Sequence, residues 1–382
     1  MLSTMSSRER FLTAVRNEKP DRVPACPCLS NMVPARRTGK PFWDITLNND
    51  PPLWKAYLDA VRYYGIDGRM IYGGIDYEFA PGTVPEKKTE IISKESDKWI
   101  TRTEMKTSTV VFSEEIYHQI DNPPTVVKKM IENLPEQIAA FKELFPRPTG
   151  YKRERADFMR KEAGEDAVFC LNVSYPGFHY FTDTFEGGLE AASYAYMDHP
   201  ELFEELRQVI HDDAVRKAEL VLDYKPDILY MSASGTLTLS TPPWVREFCL
   251  PTVKAVTKMA KEAGVPTMIH SCGKSRYLVE LYATETDLNC MNPLEAPPMG
   301  DCDLKEVKEK FGKKLSLAGN IHTTEVMLMG KPSDVDAACK KAIEDAGKDG
   351  GFLLMTGDQV GRDTPDENLF AFVEAAKKYG KY

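Results

Sequence analysis

A chain of 382 residues with 42% hydrophobic and 28% charged side chains holds enough apolar material for one large core, and no stretch approaches the roughly 18 uninterrupted apolar residues that span a membrane. The net charge of −9 disfavours binding to nucleic acid or to an anionic membrane surface. The eight cysteines, with no apolar leader pattern over residues 1–15, predict reduced thiols in a cytoplasmic protein.

Along the chain, short apolar runs alternate with amphipathic segments. Ser6 to Glu9 has capping-box spacing and opens a helix to about residue 16. Residues 22–28 read as a first, proline-interrupted strand. A helix over residues 53–64, stopped by Gly65, leads into a second strand at 68–72. Further strands are predicted at 167–173, 227–231, 266–270, 287–291, 314–318 and 352–356. Between them the spacing predicts helices over 200–222, 244–262, 276–284, 304–311 and 333–346. A last helix is predicted to be capped by Thr364, with Pro365 at its first position and Glu367 completing a capping box. Alternation of this kind implies an α/β protein with a parallel sheet, and eight units predict a closed (β/α)8 TIM barrel.

Residues 73–166 exceed one β/α unit and are taken as an insertion near the barrel mouth within a single domain over residues 1–382. A polar hairpin is predicted there from residues 89–94 and 99–103, after strand 2, with a helix over 123–145. An insertion this long serves either as a lid or as decoration.

Barrels of this type place their chemistry on the loops after the strands. Searching those positions finds Asn172 with Tyr175, Phe178 and His179 after strand three, Ser232 after strand four, and His270-Ser271-Cys272-Gly273 after strand five. Glu295 follows strand six, Asn320 and His322 follow strand seven, and Asp358 follows strand eight. His270 and Cys272 are two apart in extended backbone, so their side chains point the same way and can share one tetrahedral ion. A catalytic zinc site needs a third protein ligand, for which Asp358, Glu295 and His322 are candidates in that order. The bland alternatives are a hydrogen-bonded strand-end histidine beside a buried thiol, a turn-capping aspartate and solvated loop groups. Tyr175, Phe178 and His179 either line a substrate pocket together with Asn172, Ser232 and Asn320 or pack locally. No glycine-rich phosphate loop, nucleophile elbow or dinucleotide fingerprint is present, which argues against phosphoryl and hydride transfer.

The segments Ile269-His270-Ser271-Cys272-Gly273-Lys274, Glu295-Ala296-Pro297-Pro298-Met299-Gly300-Asp301, Leu317-Ala318-Gly319-Asn320-Ile321 and Asp363-Thr364-Pro365-Asp366-Glu367-Asn368-Leu369 resemble the uroporphyrinogen decarboxylase superfamily. The opening Arg8-Glu9-Arg10 with Pro20-Asp21-Arg22-Val23-Pro24 is similar too. That superfamily contains metal-free uroporphyrinogen decarboxylases and corrinoid-dependent methyltransferases. The decarboxylases carry an arginine-rich motif near the first strand, where this chain has Cys26-Pro27-Cys28-Leu29-Ser30-Asn31. The methyltransferase branch resembles it better, because members acting on coenzyme M hold zinc through His-x-Cys and a later cysteine. His270 and Cys272 match that pattern, whereas Asp358 stands in the place of the later cysteine. A zinc ion held by fewer thiolates is a harder Lewis acid, better suited to an ether or alcohol oxygen.

The resemblance therefore implies a zinc-assisted methyltransferase that passes a methyl group from an oxygen-linked donor, such as a methoxylated aromatic, to the cobalt of a separate corrinoid protein. In that reading His270, Cys272 and Asp358 hold zinc, Glu295 or His322 delivers a proton, and the residues after strand three meet the donor. Methyl transfer from methylcobalamin to a thiol of the coenzyme M kind and metal-free decarboxylation are the rival readings. The identity of donor and acceptor, the direction of transfer and assembly into a homo-oligomer stay open.

Overall fold

The computed structural model describes residues 5–70 and 72–382. The first four residues of the opening segment, and Ile71 of the second expected strand, lie outside the described residues. The strands in chain order are β1 (Gly68–Met70), β2 (Asp76–Phe79), β3 (Glu86–Lys94), β4 (Lys98–Lys106), β5 (Val111–Gln119), β6 (Thr125–Lys128), β7 (Pro148–Lys152), β8 (Ala167–Val173), β9 (Ile228–Ala233), β10 (Thr267–Ser271), β11 (Cys290–Asn292), β12 (Ser316–Ile321) and β13 (Phe352–Thr356). Seven of them form one sheet in the order β1-β8-β9-β10-β11-β12-β13, and every pair in it is parallel.

The eighth stave is the proline-interrupted segment at residues 22–28. Cys26 N–H donates to Leu354 O (2.8 Å), Leu354 N–H to Pro24 O (3.0 Å), and Asp67 N–H to Ala25 O (2.8 Å), so the segment lies between β13 and β1 and closes the barrel. Pro24 and Pro27 have no N–H to give, which leaves two isolated parallel bridges, Ala25↔Leu354 and Cys28↔Gln359, instead of a continuous ladder.

Alternate strand residues point inward. Cys26, Cys28, Val168, Cys170, Ile228, Tyr230, Met268, Cys290, Ala318, Leu353 and Met355 form one packed cluster, joined by Phe11, Leu12, Ala14 and Val15 of the helix Ser7–Val15. That helix starts from the expected capping box: Ser6 Oγ accepts from Glu9 N–H at 3.1 Å and Glu9 Oε2 accepts from Ser6 N–H at 2.9 Å. The fully buried Asp67 is held by Arg10 (2.7 Å), Arg22 (2.8 Å) and the N–H of Ala25 (2.8 Å), tying this helix to the first stave and to the start of β1. The outer faces of the strands and the inner faces of the surrounding helices make the larger core. Its helices include Leu53–Tyr64 and Leu250–Ala263, stopped by left-handed Gly65 and Gly264.

Three local expectations need correction. The hairpin of the insertion is part of a four-stranded antiparallel sheet, β3-β4-β5-β6, and β2 pairs separately with β7. The helix predicted over 123–145 is confined to Leu134–Lys142, because Pro123 and Pro124 disfavour a helix at its start and the β-branched Thr125-Val126-Val127 that follow them form β6 instead. The last helix is Asp366–Tyr379 with Pro365 in the cap position, while the Thr364 hydroxyl is buried without a partner and caps nothing. At its tip the insertion meets the loop after β13, where Asp121 accepts from Arg362 at 2.6 Å.

Candidate metal centre

β10 delivers the central residues. In the parallel ladders His270 stands level with Ser232 on β9 and Asn292 on β11, so these three side chains share the inward side of adjacent strands. His270 is buried, which pushes its pKa down to about 4; Arg69 adds to the fall and Asp358 opposes it. The ring is therefore neutral at pH 7 and able to ligate. Cys272, two residues on, has its thiol pushed up to about 11 by burial and by Asp358, opposed by Gly235 N–H and Ser234. Without a cation the sulfur stays protonated, and metal binding would release that proton.

Gly273 then turns the chain at φ 76°, and a Cβ there would collide with Oγ1 of Thr238. At this turn Gly273 N–H donates to Glu295, which is buried. Burial raises the Glu295 pKa, the Gly273 bond partly offsets this, and the charge of Asp358 adds to the rise. A raised pKa makes this carboxyl easier to protonate than an ordinary glutamate.

Asp358 arrives from the loop after β13 with φ 94°, a conformation uncommon for a residue with a side chain. Thr356 holds the loop, its Oγ1 donating to Asp358 O (2.6 Å) while accepting from Cys28 N–H (2.9 Å). The imidazole Nε2 of His270 lies 3.7 Å from Asp358 Oδ1, and one ligand atom from each of His270, Cys272 and Asp358 lies within 4.8 Å of the other two. A tetrahedral zinc with bonds of about 2.0–2.3 Å needs ligand atoms roughly 3.3–3.8 Å apart, so modest side-chain adjustment closes the set. The second observation is an unpaired atom: Asp358 Oδ1 is buried with no hydrogen-bond partner. A buried carboxylate oxygen beside a neutral imidazole lacks a positive partner, and a cation held by Nδ/ε, Sγ and Oδ donors meets that need.

The other predicted residues divide by position. Asn172 and Ser232 continue the inward rows of Cys170 and Tyr230 yet are solvent-exposed, so the mouth is open above a sealed floor. Asn320 sits half-buried in the row of Ala318, across from Met355. Tyr175 is wholly buried and its hydroxyl pairs with Thr236 at 2.9 Å. His179 is buried beneath it, with Nε2 on Tyr175 O at 3.2 Å, Nδ1 unpaired, and a pKa pushed down to about 4 by burial. Phe178 stacks on Trp244 at 4.2 Å and packs among Phe181, Tyr196, Phe203 and Phe248, so it belongs to the helix core and not to a pocket wall. His322 stands apart from the three-residue group: its Nδ1 accepts from the N–H groups of Thr324 (3.2 Å) and Glu325 (3.1 Å) and caps the following turn.

Two further residues meet at the site: Arg69, which carried no motif, and Asn292, which the sequence places at the end of strand six without a role. Arg69 on β1 is buried in the barrel floor, donating to Tyr230 Oη at 2.9 Å, and it contacts Asn292. Asn292, also buried, lies 3.2 Å from His270 Nδ1. The inward alternation of β1 and β11 was the available signal for both. Arg36 and Arg37, by contrast, are engaged elsewhere: Arg36 with Asp366 and Thr364 O (2.8 Å), Arg37 over the ring of Tyr63 at 3.3 Å.

Comparison with known proteins agrees with this architecture. Part of the chain is 28% identical over 168 residues to a methylated-thiol–coenzyme M methyltransferase of Methanosarcina mazei, covering 44% of this chain and 42% of that protein. Another match, 30% identical over 135 residues, is the methylcobamide:CoM methyltransferase MtbA of the same organism, covering 35% of this chain and 36% of that protein. The alignments thus span less than half the length of these curated relatives. A solved methyltransferase from Methanosarcina mazei shares the fold with a TM-score of 0.67 at 17% identity, over 98% of this chain and 99% of the other. The model of the uroporphyrinogen decarboxylase (URO-D) family matches residues 104–379, most of the chain, and with the closed barrel around it this match makes the protein a member of that family.

Proposed function

We propose that this protein is a methyltransferase that moves a methyl group from an oxygen-linked donor, such as a methoxylated aromatic, to the reduced cobalt of a corrinoid carried by a separate protein. The observation that carries the reading is the trio His270, Cys272 and Asp358, with the carboxylate oxygen buried and unpaired. The names of the two curated relatives, both methyltransferases, support methyl transfer as the reaction class.

His270 Nε2, Cys272 Sγ and Asp358 would hold zinc, which when bound supplies Lewis-acid charge beside the oxygen that gives up the methyl group. Aspartate and cysteinate carry the same formal charge, so an aspartate in the set leaves the total charge unchanged and makes the site harder. A harder site favours oxygen over sulfur. Asn172, Ser232 and Asn320 line the open mouth and offer hydrogen bonds to a donor. The C–O bond breaks with its electron pair remaining on oxygen, while the bond to carbon takes its pair from reduced cobalt. Glu295, with its raised pKa, would supply the proton that neutralises the departing oxygen. His322 is the alternative acid, limited by its bonds to Thr324 and Glu325.

Thiol methylation is the second reading, favoured by the names of both relatives, which are coenzyme M methyltransferases. Decarboxylation of a polycarboxylate has less support, because Arg36 and Arg37 are engaged with Asp366, Thr364 and Tyr63, and Arg69 is sealed in the floor. The test is zinc-loaded protein with cob(I)alamin and a panel of methoxyarenes, alcohol ethers, methylthiols and methylamines, read by the absorbance of methylated cobalt. The proposal expects methylation from at least one oxygen-linked donor. Methylation from sulfur donors alone, or from none, would refute it.

A further inference from the structure

The carboxamide of Asn292 has two orientations, and they are not equivalent. In one, Nδ2 donates to Ile269 O (3.0 Å) while Oδ1 accepts from His270 Nδ1 (3.2 Å) and from Arg69 Nη2 (3.2 Å). In the other, Nδ2 would lie 3.2 Å from His270 Nδ1 and the oxygen would keep one contact from Arg69 Nη1 at 3.3 Å, but the oxygen would face Ile269 O and the NH2 would face the second guanidinium nitrogen. The first pairs every atom of a side chain that is wholly buried, where an unpaired polar atom costs about 1–3 kcal/mol. Its consequence passes to the histidine: an oxygen at Nδ1 demands a proton there, which leaves the lone pair on Nε2, the atom that faces Asp358.

We infer that Asn292, pinned between the Ile269 carbonyl and the buried guanidinium of Arg69, is a positioning residue that holds His270 as the Nδ1–H tautomer and so leaves Nε2 as the cation-facing donor. The inference deepens the metal reading and rests on it for its purpose, but the tautomer exists without metal. Arg69 fits the role. Among the described residues it forms no ion pair, and its guanidinium is spent on Tyr230, Asn292 and the sulfur atoms of Met268 and Cys28. An arginine placed in a barrel floor without a carboxylate is a poor way to gain stability, so its contact with the histidine's partner is the more informative feature.

The test is the tautomer of His270 in metal-free protein with 15N-labelled histidine, read from long-range 1H–15N correlations. With six histidines in the chain, the His270 signals are assigned by their loss in His270→Gln. Wild type is expected to show Nδ1–H. Asn292→Asp keeps an acceptor at the same place and is expected to preserve both the tautomer and zinc affinity to within about threefold. Asn292→Leu removes the acceptor, shifts the population toward Nε2–H, and lowers zinc affinity by roughly 10–100-fold, as loss of a ligand's hydrogen-bond partner does elsewhere. Nε2–H in wild type, or unchanged tautomer and zinc affinity in Asn292→Leu, would overturn the inference. If Asn292→Leu does not fold, Asn292→Asp decides it, since loss of Nδ1–H or of zinc binding there also overturns it. Nδ1–H in a wild type that binds no zinc would leave the tautomer role standing and remove the metal reading instead.

Discussion

Replacing Asp358 by asparagine separates a metal ligand from a structural aspartate, because the two roles predict opposite signs. Asparagine tolerates the left-handed region, so the φ of 94° is retained at little cost. In metal-free protein the change removes a carboxylate oxygen that is buried and unpaired, and stability should hold or rise by up to about 1 kcal/mol. Zinc affinity should move the other way. Loss of an outer hydrogen-bond partner costs about 10–100-fold, so loss of one of three ligands should cost at least about 100-fold, or roughly 2.7 kcal/mol. For a chain of 382 residues, unfolding entropy corresponds to about 0.8 kcal/mol per degree, so free zinc at a hundredfold excess over Kd should raise the wild-type Tm by about 3 °C. Asp358→Asn should show almost none of that rise while matching wild type without zinc. The assay is calorimetry with and without zinc, beside competition against a chromophoric chelator. Zinc affinity within threefold of wild type, or a large loss of metal-free stability, would refute the assignment of Asp358.

Other perturbations read different parts of the account. Gly273→Ala forces a side chain onto a φ of 76° and into Thr238, and should cost about 1–3 kcal/mol together with the Glu295 contact, seen as a lower Tm and weaker zinc binding. Asp67→Asn leaves the buried Arg10 and the partly buried Arg22 with a weakened partner and should lower stability by about 3–5 kcal/mol, with zinc stoichiometry unchanged in the folded fraction. For Asp227, burial alone would raise the pKa, but bonds from Arg8, the Phe169 N–H and Arg160 hold it below the ordinary carboxylate value. A lowered folded pKa means that its stabilisation is complete above the unfolded value of about 3.9 and is lost as pH falls through the folded one. Asp227→Asn should therefore reduce Tm at pH 7 and flatten its decline below about pH 4; an unchanged acid limb would contradict this. Asp358→Cys should shift methyl donation from oxygen-linked substrates toward thiol chemistry, measured as the ratio of the two rates in the cob(I)alamin assay.

Much of the barrel was legible because its signal is local. Short apolar runs alternate with amphipathic helices along the chain, and the alternation of a strand puts His270 and Cys272 on one side whatever the rest of the chain does. Even the first stave was readable despite Pro24 and Pro27, although its broken ladder was not. The strands β5 and β6 were missed where polar residues and prolines dilute the period, and the sheet they join is held by pairing across the insertion. Asp358 was reached from its place after the eighth strand, as the first of three candidate third ligands, and the family resemblance then set it in the position of a ligating cysteine. Asn292 was placed at the end of strand six but given no role, and Arg69 escaped, because the meaning of both lies in register: His270 meets Asn292 only when β10 and β11 are aligned, and Arg69 reaches Asn292 from β1 on a stave far from β11 in the chain. For Phe178 the sequence left pocket wall and local packing both open, and the structure takes the second, its ring filling the space between helices.

The central claim is the donor set, and the most direct measurement of it is the zinc K-edge X-ray absorption of protein purified with zinc and freed of excess metal. The account predicts about one zinc per chain with a single sulfur near about 2.3 Å and nitrogen or oxygen neighbours near about 2.0–2.2 Å, the sulfur vanishing in Cys272→Ser. A spectrum with two sulfurs, with none, or unaltered by Cys272→Ser would contradict it.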